Sequence, residues 1–288
     1  MQPLPIDRET RLCMSLSGRP GNFGTRFHNF LYRELRLNFV YKAFTTRDLP
    51  AAIGGIRALG IRGCAISIPF KEACVPLMDA LDPTAAAIGA VNTIVNDDGH
   101  LRAYNTDYIA VRRLLETHRV SPDTQFAVRG SGGMAKAVVA ALQSQGFRSG
   151  TVVARNETAG RALANAYGFG WSPTLNGRPA LLVNATPIGM EGGAEVDQLA
   201  FDPGAVDAAS VVFDVVALPS ETPLLRAART RGKDVITGSE VLVLQGVEQF
   251  VLYTGVRPGE EQIRRAAAFV FASDPGAVAP RHDAGPAR

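Results

Sequence analysis

Lys71 stands directly after the apolar stretch "ISIPF" (66–70), where a buried strand would reach the surface. Two readings fit: a solvated charge at a strand end, its stem lying along apolar surface, or an acid–base group at the mouth of a cleft. Farther along, "VRGSGGMAKAV" sets Gly130, Gly132 and Ala135 in the pattern G-x-G-x-x-A, after a strand-like run and opening a helix-like one. Glycines at those places let backbone N–H groups approach a pyrophosphate at the positive end of the helix; the alternative is a plain tight turn. The next strand-like run, "TVVA", is followed by Arg155, where an NAD site usually places an acidic residue to hold the ribose hydroxyls. A guanidinium there suits a 2′-phosphate, so NADP is expected in preference to NAD, with Glu157 close enough to compete. "NATPIGM" (184–190) follows the run "ALLV" and carries turn chemistry in Asn184, Pro187 and Gly189. In an open α/β sheet such a loop lies at the carboxyl end of its strand, where ligands bind, although a simple strand exit would read the same way.

The elements that must position these groups follow from the alternation of patterns. Over the first hundred residues, strands "LCMSLS", "NFVYKAF" and "GCAISIPF" alternate with helices from about Thr25 and over "DLPAAIGGIRAL". "AVNTIVND" and "HLRAY" flank "NDDGH", a hairpin turn that predicts one antiparallel pair at an edge of a largely parallel sheet. A second series starts near Asp123: strands "QFAVRG", "TVVAR", "ALLVNATP", "VVFDVV" and "DVITG", with helices between them. The helical stretches "SEVLVLQGVEQFVLYTG" and "EEQIRRAAAFVFA" come after the last strand and are expected to return to the first domain. The class is α/β: an N-terminal α/β domain, a doubly wound Rossmann domain and returning C-terminal helices. The expected division is 1–108 with 239–273 against 109–238, with 274–288, rich in Pro, Gly and Ala, as a disordered tail.

Bulk properties exclude other classes. The 288 residues are 46% hydrophobic, enough for two cores, and the net charge of +3 is spread without a basic run. No nucleic-acid or membrane partner is expected. No stretch approaches ~20 uninterrupted apolar residues, and "MQPLPIDRETR" lacks a signal core, so a cytoplasmic protein is expected. Cys13, Cys64 and Cys74 are an odd, scattered set that suits reduced packing residues, and no metal site is expected.

Six motifs fall in a familiar order: "ISIPFK", "GAVNT" (89–93), "YNTD" (104–107), "GSGGMA" (130–135), "NATPIGM" and "GSEVLVLQG" (238–246). Together they resemble the shikimate dehydrogenase family over nearly the whole chain. The resemblance implies reversible hydride transfer between C3 of a shikimate-like diol and a nicotinamide, in a cleft between two domains. It places Lys71 and Asp107 on the catalytic lysine and aspartate. A lysine can take a hydroxyl proton only if its surroundings lower its pKa, and a neighbouring carboxylate works against that. Without the resemblance Asp107 reads as an N-cap for "YIAVRRLLETH". Asn92 and Gln245 match amides that hydrogen-bond substrate hydroxyls, and Ser15, Ser17 and Ser67 are expected as further substrate contacts. Cofactor contacts are expected from Gly130, Ser131, Gly132, Gly133, Met134, Ala135, Arg155, Asn184, Thr186, Pro187, Met190, Val215 and Gly238.

The chain departs from the family at the acid end of the substrate. A glycine-rich insertion separates Ser15 and Ser17 from His28 and Asn29, Ala65 and Ser67 replace the common Asn and Thr, and Ala217 stands where a tyrosine is usual. Tyr108 replaces a common glycine and is expected to narrow the site. A lost hydroxyl to a carboxylate costs ~1.5–3 kcal/mol, which implies slow turnover of shikimate and resembles the shikimate dehydrogenase-like branch. The alternatives are a quinate or aminoshikimate dehydrogenase using NAD or NADP, and a dinucleotide-binding sensor without turnover. A small-molecule partner and a monomer or homodimer are expected.

Overall fold

A computed structural model describes residues 5–272; the expected tail at 274–288 lies outside the described residues. The first half builds β1 (Arg11–Leu16), α1 (Phe23–Glu34), β2 (Phe39–Phe44), α2 (Leu49–Ala58), β3 (Gly63–Ile66), β4 (Ala80–Leu81), α3 (Pro83–Ile88), β5 (Thr93–Asp97), β6 (His100–Tyr104) and α4 (Thr106–Thr117). Its sheet has the order β2-β1-β3-β5-β6-β4, with β5 antiparallel to both neighbours and the other pairs parallel. The hairpin falls at "DDGH": Asp98 and Gly99 have φ of 50° and 89°, the two left-handed residues that a two-residue turn between twisted strands requires. The pair does not form the edge, because the two-residue β4, too short to leave a sequence pattern, pairs with β6 outside it.

The second half builds β7 (Phe126–Arg129), α5 (Gly133–Ser144), β8 (Gly150–Val153), α6 (Glu157–Tyr167), β9 (Gly170–Ser172), β10 (Leu181–Asn184), α7 (Pro203–Ala208), β11 (Val211–Asp214), α8 (Pro223–Thr230) and β12 (Asp234–Thr237). All strands are parallel in the order β12-β11-β10-β7-β8-β9, the doubly wound arrangement whose connections reverse between β7 and β10. The sequence pattern did not show the three-residue β9 or the short α7.

Two helices close the chain, α9 (Gly238–Thr254) and α10 (Glu260–Phe271). Thr237 and Glu240 form a capping box that starts α9 at the sheet edge. Val241 at its start lies in the core of the second sheet, with Val111, Leu114 and Val128. Val247, Phe250 and Tyr253 lie in the core of the first, with Phe27, Leu31 and Tyr41, and α10 adds Ala266 and Phe271 there. Each of the valines and Phe250 contributes about 1.5–3 kcal/mol when fully buried, so α9 ties the two halves into one body. The three cysteines are free and buried, as packing residues should be. Among the described residues no helix is long and apolar enough to cross a membrane.

Candidate active site

A cleft of about 690 Å³ opens between the carboxyl ends of the two sheets. Lys71 reaches it from the loop after β3. That strand ends at Ile66, four residues before the end that the apolar run suggested, because the chain turns there, with Phe70 N–H donating to Ser67 O at 2.9 Å. The backbone carbonyl of Lys71 accepts from Val91 N–H at 2.8 Å, which pins the loop to "GAVNT". Asp107 comes from the first turn of α4, where the positive end of the helix favours a carboxylate. Its expected capping role belongs instead to Asn105, whose side chain accepts from Tyr108 N–H at 3.1 Å. Lys71 Nζ donates to Asp107 Oδ2 at 2.5 Å, both side chains being mostly shielded.

Two of the amides behind this pair, Asn92 and Gln249, share one network with Thr93 and Thr106. Asn92 Oδ1 accepts from Thr106 N–H at 2.7 Å and its Nδ2 donates to Thr106 Oγ1 at 2.9 Å. Asn92 therefore holds the residue next to Asp107 while its edge lines the cleft. Gln245 is half-buried and also lines the cleft, with Nε2 donating to Leu242 O at 3.1 Å. One turn later Gln249, buried and missed by sequence reasoning, donates to Thr93 Oγ1 at 3.2 Å. Its signal was the i, i+4 spacing from Gln245, which puts both amides on one helix face. Ser15, Ser17 and Ser67 all line the cleft despite the insertion before α1, as do Ala217 and a second unforeseen residue, Arg19. Tyr108 does not narrow the site; it packs with Tyr167 on the contact between α3 and α5, away from the cleft.

On the opposite wall Gly130 has φ of 124°, and a Cβ there would stand 2.7 Å from Ala185 O, so the loop after β7 presses on the loop after β10 as only glycine allows. Beside it, a Cβ at Gly133 would stand 3.9 Å from Lys71 Cδ. The start of α5 and the lysine thus face each other across the cleft, and Lys136 Nζ bonding Glu72 Oε1 at 2.8 Å braces the two walls. Ser131, Gly132, Gly133, Met134, Arg155, Thr186, Pro187, Met190, Val215 and Gly238 all line the cleft.

Two expected cofactor contacts do not reach it. Ala135 is fully buried in the core of the second sheet, where its small side chain lets α5 approach the strands. Asn184 is fully buried too, and braces its own loop: Nδ2 donates to Ile188 O at 3.1 Å and to Asp214 Oδ1 at 2.9 Å, while Oδ1 accepts from Thr186 Oγ1 at 2.6 Å. Burial pushes the Asp214 carboxyl up to about 6 against the donors Thr222, Val216 and Asn184. Glu157, the residue expected to compete for Arg155, is bonded to Arg161 at 2.7 Å; the carboxylate near Arg155 is Glu195, at 3.7 Å. Arg129 and Asn156 also line this end and were not foreseen. Arg129 carries the signal that singled out Lys71, a cation closing an apolar strand.

Fold and site define a two-domain α/β protein with a doubly wound dinucleotide-type sheet and a cleft in which a Lys–Asp pair faces its Gly-rich loop. A family model described as the shikimate dehydrogenase substrate binding domain matches residues 23–94. A shikimate dehydrogenase-like protein of Haemophilus influenzae is 57% identical over 265 residues, 92% of this chain and 98% of that one. A solved structure of a shikimate 5-dehydrogenase-like protein superposes with a TM-score of 0.88 at 57% identity, over 92% of this chain and 99% of that one. Shikimate 5-dehydrogenase of Thermus thermophilus, solved with NADP(H) and shikimate, superposes with a TM-score of 0.79 at 30% identity, over 89% and 99% of the two chains. The chain belongs to the shikimate dehydrogenase family, a family of oxidoreductases.

Proposed function

We propose that the protein is an NADP-dependent dehydrogenase acting on a ring hydroxyl of shikimate or a close analogue. The observation that carries this reading is the Lys71–Asp107 pair at 2.5 Å, set across the cleft from the start of α5. A nicotinamide dinucleotide fits the opposite wall on three features: the close approach at Gly130, the opening of α5 at Gly133, and cations at the adenosine end. Ser131, Gly132, Gly133 and Met134 would hold the phosphates, Arg155 the adenosine ribose, and Thr186, Pro187, Met190, Val215 and Gly238 the nicotinamide side. When bound, the cofactor supplies the ring carbon that accepts or returns a hydride.

The chain's own residues do the rest. Lys71 and Asp107 share the proton that leaves the reacting hydroxyl oxygen, and a positioned group of this kind contributes typically ~10²–10⁴-fold. Asn92, Gln245 and Gln249 orient the neighbouring hydroxyls, and Asn92 and Gln249 do so from a network already fixed in place, so little reorganisation is needed on binding. Ser15, Ser17 and Ser67 take the acid end, without the tyrosine that Ala217 replaces. We assign the substrate side to 1–108 with 239–273 and the cofactor side to 109–238.

The reading is tested with purified protein offered shikimate or quinate with NADP or NAD, following absorbance of the reduced nicotinamide. Turnover with shikimate and NADP in excess of the other pairs supports it. A clear preference for quinate or for NAD replaces the substrate or the cofactor named here, and silence in every pair, with the dinucleotide bound, favours a sensor.

A further inference from the structure

Asp214 ends β11 and is fully buried, yet among the described residues no cation pairs with it. A buried carboxylate without a cation is costly unless hydrogen-bond donors converge on it. Donors from three segments do. Asn184 Nδ2, level with it on β10, donates to Oδ1 at 2.9 Å, Val216 N–H donates to the same oxygen at 3.1 Å, and Thr222 Oγ1 at the cap of α8 donates to Oδ2 at 2.7 Å. The bonds continue into the wall of the cleft, since Asn184 Oδ1 accepts from Thr186 N–H at 3.1 Å and Thr186 Oγ1 accepts from Ile188 N–H at 3.2 Å. Thr186, Pro187, Ile188, Val215 and Val216 all line that wall. Gly238 presses on the same turn, where a Cβ would meet the Val216 carbonyl. The charged groups of the neighbouring elements are engaged elsewhere: Glu221 bonds Arg229 at 3.3 Å, and Glu240, beyond Thr237, bonds His118 at 3.3 Å.

We infer that Asp214 is the positioning residue for the cofactor's nicotinamide: its carboxylate, accepting from all three donors, fixes the exits of β10 and β11 as one rigid edge. This role rests on the dinucleotide reading above and goes beyond it by giving a buried group that touches no ligand control over one end of the cofactor. Burial pushes the carboxyl up to about 6, and the donors oppose that. As pH falls through this value a proton settles on one oxygen, which then donates, so one of the converging bonds must turn or break. Asp214→Asn imitates that state, with equal volume, one acceptor oxygen and no charge.

The test is calorimetric binding of oxidised NADP beside 2′-phospho-ADP-ribose, and of NAD beside ADP-ribose, to the full chain, with no turnover required. The members of each pair differ only by the nicotinamide, so the ratio of their affinities reads that end alone. Asp214→Asn is expected to weaken the dinucleotide about tenfold and leave its fragment unchanged. In wild type the ratio is expected to fall roughly fivefold as pH drops from about 7.5 to about 5, and in the variant to stay flat. An unchanged dinucleotide affinity in Asp214→Asn overturns the role while leaving the dinucleotide reading standing. Equal losses for dinucleotide and fragment reduce Asp214 to a prop of the fold and also overturn it, as does a pH-dependent ratio that the variant retains. A loss with oxidised NADP that is absent with NADPH replaces positioning by attraction to the cationic ring. Failure of wild type to bind any of the ligands sinks the dinucleotide reading and this role together. If the asparagine variant does not fold, Thr222→Val and Thr222→Ser decide: valine removes a donor that lowers the carboxyl's pKa, so the fall in the ratio should move to higher pH, and serine should restore it. A fall that does not move overturns the role.

Discussion

The ammonium of Lys71 and the carboxylate of Asp107 meet at 2.5 Å although one is carried by the loop after β3 and the other by the first turn of α4. The two elements are held by separate bonds, Val91 N–H to Lys71 O on one side and the Asn92–Thr106 network on the other. The pair is therefore positioned before any substrate arrives. Asp107→Asn should fold, bind the dinucleotide as wild type does, and lose about 10²-fold or more in turnover. Because the two groups act as a unit, Lys71→Met with Asp107→Asn should be little worse than Lys71→Met alone. Additive losses in kcat would show two independent roles.

His28 supplies a pH-dependent prediction. It is fully buried, stacked on Tyr41 at 4.5 Å, and neither ring nitrogen has a hydrogen-bond partner among the described residues. Burial pushes its pKa down to about 3 from 6.5, opposed by Gln249. The unfolded chain then binds a proton between those values that the folded chain refuses, so this contribution to stability is complete above pH 6.5 and is lost as pH falls toward 3. His28→Phe removes the titration. Relative to its effect at neutral pH, the variant should gain about 2 kcal/mol over wild type at about pH 5, at ~1.4 kcal/mol per unit. Asp214 slopes the other way, since its raised carboxyl favours the folded state at low pH, but it is present in both proteins and cancels. Urea unfolding at the two pH values measures this, and a difference independent of pH refutes it.

Gly130 is the point where the loops after β7 and β10 touch. Gly130→Ala puts a Cβ in a φ of 124° and within 2.7 Å of Ala185 O, so one loop must move. The expected cost is about 1–3 kcal/mol of stability, with dinucleotide affinity falling alongside. Thermal melting with and without NADP reads both, and unchanged ligand-induced stabilisation would separate this contact from cofactor binding.

Much of the fold was legible because parallel strands and amphipathic helices leave periods in the sequence, and the G-x-G-x-x-A loop falls between such elements. What escaped was too short to carry a period, namely β4, β9 and α7. Side-chain direction escaped as well: Asn184 ends β10 close to the cleft yet spends its amide on Asp214 and Ile188, and Tyr108 follows "NTD" yet faces another helix. Arg129 and Gln249 were visible as types but needed the third dimension to be brought to the cleft, and Arg19 sits in an insertion with no pattern at all.

Arg19 nevertheless lines the substrate side of the cleft with Ser15, Ser17 and Ser67. A cation there suits the acid end of the proposed substrate. Arg19→Ala should raise KM for a carboxylate substrate by about tenfold, ~1.4 kcal/mol, with kcat and cofactor affinity little changed. A KM that does not move assigns the acid end to the serines alone.

The most direct test of the central claim is reduction of NADP by the purified protein with saturating shikimate, run beside Lys71→Ala, with cofactor binding measured separately for both. The account predicts slow but measurable turnover in wild type, a loss of about 10²–10⁴-fold in the variant, and equal dinucleotide affinity. Turnover that survives in Lys71→Ala would contradict it.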